Sequence, residues 1–126
     1  MPDGPELLSG RHVLVVEDEY FIADDMRRVF EESGARVIGP VGSVDDALAM
    51  VAQASRIDGA VLDIDLREAM VFPVADALKA RGVPFVFATG YEDDAVPSRL
   101  RDVLHCEKPI EPIRLAQALF GQAAAC

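Results

Sequence analysis

The sequence predicts an α/β fold built on a doubly wound sheet of five parallel strands. Short apolar runs alternate along the chain with longer segments of helical period, which is typical of strand-helix-strand units. The run over residues 59–64 is apolar on both faces until Asp63, as expected of a strand that helices cover on both faces. With 126 residues, 51% of them hydrophobic, the chain can form one domain with a genuine core. We expect this domain over residues 10–122, between a flexible N-terminus at 1–9 and a tail at 123–126.

Five apolar runs that are too short for helices indicate the strands. They are expected at residues 12–16, 35–41, 59–64, 83–88 and 103–106. The second strand is the weakest, because Gly39 and Pro40 interrupt it. The fourth has Pro84 near its start, where the ladder loses no hydrogen-bond donor.

Apolar residues at helical spacing indicate the first two helices. In the first helix, Ile22, Met26 and Phe30 fall on one face, and Gly34 can end the helix in a left-handed conformation. The second helix begins at Ser43, which has an acidic residue three positions later, as in a capping arrangement.

The remaining helices are indicated mainly by proline and glycine. Pro73 fits the first turn of a third helix that Gly82 ends, and a terminal helix is expected over residues 114–122. Residues 91–102 are acidic at first and then contain Pro97, so only a short or irregular fourth helix fits there.

The charge of the chain limits its partners. Twelve basic and twenty-two acidic residues give a formal net charge of −10, which repels the phosphate backbone of DNA and RNA, so nucleic-acid binding is not expected. No signal peptide is indicated and no apolar run approaches the ~18 residues of a membrane span, so we expect a cytoplasmic protein without membrane contact. Cys106 and Cys126 are expected to be reduced thiols.

Polar residues follow four of the five predicted strands. They are Glu17, Asp18 and Glu19 after the first strand, Asp63 and Asp65 at the end of the third, Thr89 after the fourth and Lys108 after the fifth. Because ligands bind beyond the carboxyl ends of parallel strands, these side chains are expected at one edge of the sheet.

This set of residues suits phosphoryl transfer to a side chain. Converging carboxylates repel one another, and Mg²⁺, which prefers oxygen ligands, relieves the repulsion. Asp63 can then act as a carboxylate nucleophile, while the hydroxyl of Thr89 and the ammonium of Lys108 bind phosphoryl oxygens.

Each of these residues also has a structural explanation. Glu17 and Asp18 alone are more often a solvated loop or a helix cap, and Thr89 and Lys108 alone carry no signal. Asp63 is different, because an unpaired carboxylate at the end of an apolar run is costly to bury. The functional interpretation depends on all of these positions meeting at the same sheet edge.

Together these motifs resemble the receiver domains of two-component response regulators. The resemblance covers residues 11–122 and is carried by four segments in the order and spacing of that family: Val15-Val16-Glu17-Asp18-Glu19, Val61-Leu62-Asp63-Ile64, Ala88-Thr89-Gly90 and Glu107-Lys108-Pro109. It implies a flavodoxin-like sheet of strand order 2-1-3-4-5.

The resemblance also implies a function. The family accepts a phosphoryl group on an aspartate in a Mg²⁺-dependent reaction, catalyses its own phosphorylation and dephosphorylation without being a turnover enzyme, and signals by conformational change. The implied partners are a sensor histidine kinase or phosphotransfer protein and a downstream protein. Dimerisation on activation is left open.

The roles of individual residues follow from the same resemblance. Asp63 is the phosphoacceptor and a metal ligand, Asp18 is the more direct acidic ligand of the metal, Glu17 acts partly through water, and the backbone carbonyl of Asp65 is the third protein ligand. Thr89 is the switch hydroxyl. Lys108 binds the phosphoryl group, and a cis peptide bond is implied between it and Pro109.

Residues 84–91, with the sequence Pro-Phe-Val-Phe-Ala-Thr-Gly-Tyr, resemble a narrower group, the FAT GUY receivers of alphaproteobacteria. Members of that group are single domains or belong to stress-response phosphorelays.

One position departs from the family pattern. Receivers carry an aromatic switch residue three positions before the lysine, and His105 stands there. We therefore expect signalling through the loop after Thr89, with Gly90 as the pivot, and we expect Tyr91 and Asp65 to flank the path of the water that removes the phosphoryl group.

Two other classes of protein remain as alternatives. Toprim-type and haloacid-dehalogenase-type Mg²⁺-dependent enzymes also use Asp-x-Asp pairs, but Toprim domains act on nucleic acid, which the negative charge disfavours, and a dehalogenase pair follows the first strand and precedes threonine. The other class is a receiver fold that is not phosphorylated and serves only for docking, which the complete set of site residues disfavours.

Overall fold

The computed structural model describes residues 7–66, 69–89 and 96–121. Five parallel strands form one sheet of order β2-β1-β3-β4-β5. The strands are β1 (His12–Val16), β2 (Arg36–Val41), β3 (Gly59–Leu62), β4 (Phe85–Thr89) and β5 (His105–Glu107), and the α-helices are α1 (Tyr20–Glu32), α2 (Val44–Gln53), α3 (Phe72–Arg81) and α4 (Pro112–Phe120). The predicted doubly wound fold and its strand order are confirmed.

The sheet is buried between two layers of helices. Side chains alternate along β1, so that Leu14 and Val16 pack in a core with α2 and α3 while Val13 and Val15 pack with α1 and α4. All four residues of β3 are buried, as a central strand covered on both faces requires.

Helix α2 begins, and helix α3 begins and ends, at residues that the sequence indicated. The hydroxyl of Ser43 accepts a hydrogen bond from the backbone N–H of Asp46 at the start of α2. Pro73 lies in the first turn of α3, and Gly82 ends that helix in a left-handed conformation with φ of 76°.

The weak second strand is irregular where glycine and proline interrupt the apolar pattern. Its pairing with β1 shifts in register between Leu14 and Val16, and Gly39 has a φ of 92° that glycine adopts without strain. The Gly39–Pro40 and Lys108–Pro109 peptide bonds are both cis, and the second was expected from the family resemblance.

Between β4 and β5 the described residues contain no α-helix and one 3₁₀ helix, Ser98–Leu100. This agrees with the short or irregular helix predicted for that stretch. Residues 90–95, which include the predicted pivot Gly90 and Tyr91, lie outside the described residues.

Leu7 and Leu8 lie in the stretch expected to be a flexible N-terminus, and they are 5% and 0% exposed; Leu8 belongs to the core beside α1 and α4. One expectation needs correction. Cys106 is disulfide-bonded, so the expected reduced thiol is wrong at this residue; Cys126 lies outside the described residues. Within the described part of the chain, no helix is long and apolar enough to cross a membrane.

Candidate functional site

Backbone hydrogen bonds place the acidic residues side by side beyond the ends of the central strands. The N–H of Glu17 donates to the carbonyl of Val41 at 2.9 Å, and the N–H of Asp63 donates to the carbonyl of Val16 at 2.9 Å. These bonds continue the ladders of β1 with β2 and of β3 with β1. As a result, the first acidic residue after each strand is held at the same edge of the sheet.

Three carboxylates meet at this edge. One oxygen from each of Glu17, Asp18 and Asp63 can be chosen so that all three lie within 4.8 Å of one another. Glu17 and Asp63 are 3% and 7% exposed, and Asp18 is half-buried. Carboxylates this close and this buried concentrate negative charge, which a cation among them would offset.

Lys108 places a positive charge beside these carboxylates. It follows β5, and its Nζ donates to Oε1 of Glu17 at 2.5 Å and lies 3.6 Å from Oδ2 of Asp63. The other oxygen of Glu17, Oε2, accepts a hydrogen bond from the backbone N–H of Glu19 at 3.1 Å. Both oxygens of Glu17 therefore have protein partners, which fixes the orientation of this carboxylate.

The surroundings of Asp63 shift its ionisation strongly. Burial and then the negative charge of Glu17 raise the pKa of Asp63 to about 7, although the charge of Lys108 acts in the opposite direction. Burial disfavours the charged form of Lys108, but the hydrogen bond to Glu17 and the charge of Asp63 outweigh it, so the pKa of Lys108 is raised. The site thus holds a protonated lysine beside a carboxyl that ionises near neutral pH.

The donor set fits a hard divalent cation. All three side chains offer oxygen atoms, the ligands that Mg²⁺ prefers. A cavity of about 440 Å³ lies against Glu17 and Asp18 and extends between α1 and the end of β2, where Pro40 and Gly42 line it. It gives water access to the two acids that follow β1.

Thr89 and Asp65 are placed by their backbones. Thr89 is the last residue of β4 and pairs in register with Glu107 of β5, one residue before Lys108; the structure does not describe its side chain. Asp65 is exposed and forms an isolated bridge with Met70, and its carboxylate is not one of the three that cluster. The predicted roles of the Thr89 hydroxyl and the Asp65 carbonyl stay predictions.

His105 lies in a group of rings rather than alone. Its ring centroid is 5.2 Å from that of Phe87, which also contacts Phe72 at 6.2 Å and Phe85 at 5.7 Å. His105, which stands where receivers carry the aromatic switch residue, therefore packs against Phe87 of β4. Phe87 lies two residues before Thr89.

The sequence did not reveal the backbone contact of Glu19. The hydrogen bond from its N–H to Glu17 depends on the exact path of the chain between β1 and α1, which no residue pattern encodes. The direct pairing of Lys108 with Glu17, closer than with Asp63, was missed for the same reason.

Known proteins share both the sequence and the fold. SdrG from Sphingomonas melonis Fr1 has a solution structure that matches with a TM-score of 0.72 and 42% identity, covering 89% of this chain and 94% of that one. A solution structure described as the BeF3-activated conformation of SdrG matches with a TM-score of 0.70 and 39% identity, covering 96% and 99% of the two chains. No protein-family model matches the sequence.

Two further matches carry the name of the family. A response regulator receiver protein from Sinorhizobium medicae WSM419 matches with a TM-score of 0.74 and 25% identity over 89% of this chain and 93% of that one. The sensory transduction protein LytT of Bacillus cereus is 36% identical over 111 residues, 85% of this chain. The chain spans only 45% of LytT, a little under half of its length. From its sequence, sheet order and solved neighbours, the chain belongs to the receiver domains of response regulators in two-component systems.

Proposed function

We propose that this receiver domain accepts a phosphoryl group on Asp63 in a Mg²⁺-dependent reaction and signals by a change of conformation. The observation that carries the proposal is the arrangement of Asp63 beside Glu17, Asp18 and Lys108: a nucleophilic carboxylate with two further metal ligands and one ammonium within reach. SdrG, whose BeF3-activated conformation has been solved, supports the same use of this site.

In the proposed reaction, one Oδ atom of Asp63 forms a bond to the phosphorus of the donor as the bond from phosphorus to the donor's leaving atom breaks. The electron pair of the broken bond stays with the leaving group, which takes up a proton there. Lys108 provides a fixed positive charge to one phosphoryl oxygen, and the Thr89 hydroxyl provides a hydrogen bond to another. Bound Mg²⁺ would offset the negative charge of the carboxylates and of the phosphoryl oxygens.

Asp18 and Glu17 are proposed to hold the metal in different ways. Both oxygens of Glu17 are bound by Lys108 and by the N–H of Glu19, so its contact with the metal is best made through water. Asp18, which is half-buried, is the direct ligand in this proposal, together with Asp63 and the backbone carbonyl of Asp65.

The donor is proposed to be a histidine kinase or phosphotransfer protein that docks around the site. A groove of about 710 Å³ runs from Lys108 along the connection to α4 and beside α1, where Ile22 and Met26 line it. Tyr20 and Phe21 at the start of α1 are 75% and 85% exposed, so the rim of the site offers apolar surface to a protein partner. Narrower assignments, to the FAT GUY group and to a bacterial cytoplasm, rest on the motif at residues 84–91 and on composition.

Output is proposed to arise from the chain that follows Thr89. Drawing its hydroxyl toward the phosphoryl group moves the β4–β5 connection, while His105 stays packed on Phe87. Nuclear magnetic resonance spectra recorded before and after phosphorylation test this, with changes expected at residues 90–101.

Intact mass spectrometry after incubation with a small phosphodonor and Mg²⁺ tests the proposed function. We expect the wild-type chain to gain one phosphoryl group and Asp63→Asn to gain none. Asp45→Asn, which changes an exposed acid in the first turn of α2, is the matched control and should react as the wild type does. Uptake by Asp63→Asn, or none by the wild type, would contradict the proposal.

Nuclease and phosphatase turnover assays with Mg²⁺ separate the enzyme alternatives. A phosphoacceptor takes up one equivalent per chain and releases it slowly. A Toprim-type nuclease or a dehalogenase-type phosphatase would instead process many equivalents of nucleic acid or of a phosphate ester.

A further inference from the structure

Residues 96–104 belong to the connection between β4, whose last residue is Thr89, and β5, which is followed by Lys108. Val96 and Leu100 are 2% and 0% exposed and belong to the same core as Val74 and Leu78 of α3. This segment therefore shares a buried core with α3.

Polar contacts from α3 converge on one residue of the segment. The guanidinium of Arg99 donates two hydrogen bonds to Asp76, Nε to Oδ1 at 2.9 Å and Nη2 to Oδ2 at 2.8 Å. Lys79 Nζ donates to the backbone carbonyl of Arg99 at 2.8 Å and lies 3.4 Å from Oδ1 of Asp102. Helix α3 thus holds both the side chain and the backbone of Arg99.

The side chains that make these contacts are largely exposed to solvent. The side chains of Asp76 and Arg99 are 43% and 57% exposed, and those of Lys79 and Asp102 are 49% and 76% exposed. Exposed ion pairs contribute little to stability one at a time, but a planar bidentate pair supported by a second contact defines one geometry. Such contacts suit a segment that must have two arrangements of similar free energy.

We propose that Asp76, Lys79, Arg99 and Asp102 form a regulatory latch that holds the β4–β5 connection on α3 in the unphosphorylated protein. The inference deepens the proposed function and rests on it. Helix α3 follows β3 and Asp63 along the chain, and the latched segment follows β4, whose last residue is Thr89. The latch therefore joins the two connections that leave the site, and it opposes the movement that Thr89 transmits when Asp63 is phosphorylated.

Hydrogen exchange of the backbone amides at residues 98–104, measured without phosphorylation, tests the latch directly. Arg99→Gln and Asp76→Asn should each raise the exchange of these amides about threefold or more, because local opening becomes more favourable. Combining the two changes should add little, because both remove the same pair. Arg28→Gln is the matched control: it removes an arginine paired with Asp25 on α1, away from the segment, and should leave exchange there unchanged.

Exchanging the charges distinguishes a latch from a general loss of packing. Asp76→Arg and Arg99→Asp alone should each open the segment, and the double variant should restore exchange toward the wild-type rate. Exchange in Arg99→Gln equal to that in Arg28→Gln, or no rescue by the double variant, would overturn the latch.

Phosphorylation provides the second readout. In the wild type, phosphorylation should raise exchange at residues 98–104, and in Arg99→Gln it should raise it by a smaller factor, since that segment is already released. Equal increases in the two proteins would contradict the latch. A wild type that takes up no phosphoryl group would contradict the proposed function instead, and the exchange of the unphosphorylated variants would still decide the latch.

Discussion

At the scale of single residues, the two adjacent acids after β1 have different surroundings. Glu17 is buried and both of its oxygens accept hydrogen bonds from the protein, while Asp18 is half-buried at the edge of the cavity. The sequence predicted that both belong to the site and that Asp18 is the more direct ligand. It did not reveal the difference in surroundings, which arises because the chain turns after β1 so that the N–H of Glu19 points at Glu17.

This difference predicts different effects of removing each charge. Asp18→Asn should weaken Mg²⁺ binding about tenfold or more, while Glu17→Gln should weaken it less and destabilise the fold more, because Lys108 loses its closest partner. The rise in melting temperature with Mg²⁺ concentration, measured for both variants, gives the two affinities. A larger loss of Mg²⁺ affinity in Glu17→Gln would reverse the assignment of the two acids.

The raised pKa of Asp63 predicts how stability depends on pH when no divalent cation is present. Its pKa lies above the ordinary 3.8, near 7, so between these values the folded protein holds a proton that the unfolded chain has lost. The stabilisation is complete below the unfolded pKa and is lost as the pH rises through the folded pKa. Between pH 5.5 and 8 we expect the free energy of unfolding to fall by about 2 kcal/mol.

Denaturant unfolding of the wild type and of Asp63→Asn in the presence of a chelator measures this dependence. The asparagine variant should lack the fall, because it has no proton to lose at this position. Lys108, whose pKa is raised from 10.5, stays protonated over the whole range and cannot produce the effect. Parallel pH profiles for the two proteins would show that Asp63 is not the titrating group.

At the scale of elements, the sequence predicted which helices and strands exist better than where they begin. The terminal helix was expected at residue 114 from its inward leucine and alanine residues, yet it begins at Pro112, because proline is readily accepted in the first helical turn. The last strand was expected from residue 103 on apolar content, but its pairing with β4 starts only at His105, opposite Phe87. The spacing of apolar residues indicates which side chains are buried. The end of a strand is set instead by which residues form hydrogen bonds with a neighbouring strand.

The sequence predicted that Ser43 caps α2, and the structure confirms this cap. Ser43→Ala removes the acceptor for the N–H of Asp46 and should lower the free energy of unfolding by about 1 kcal/mol. Chemical denaturation measures the loss, and Ser43→Asp, which keeps an acceptor at the cap, should recover most of it. Mg²⁺ affinity should not change in either variant, since the cap holds none of the three clustered carboxylates. A stability loss that aspartate does not recover would mean that the hydroxyl acts in another way.

At the scale of the whole molecule, parallel strands explain why the site could be located from sequence. Residues that are 91 positions apart, Glu17 and Lys108, meet because every strand runs in the same direction and ends at the same edge. What strand order cannot supply is the placement of segments outside the repeating units. Leu8 precedes β1 yet is fully buried, and Arg99 reaches back to α3 through a contact that no local pattern announces.

We expect the whole molecule to respond to Mg²⁺ in two separate ways. With a formal net charge of −10, the folded chain repels itself, and any salt that screens this repulsion raises stability somewhat. The proposed binding of Mg²⁺ at the acidic cluster would add a second, saturable gain that depends on site occupancy.

Matched salts separate these two responses. We expect about 5 mM MgCl₂ to raise the melting temperature by several degrees more than KCl at the same ionic strength, because only Mg²⁺ occupies the site. Asp18→Asn should respond to both salts alike, because the dissolved ions still screen its charge while the stabilisation from Mg²⁺ binding is lost. Equal shifts in the wild type would mean that Mg²⁺ acts on the total charge alone, and the acidic cluster would then be no metal site.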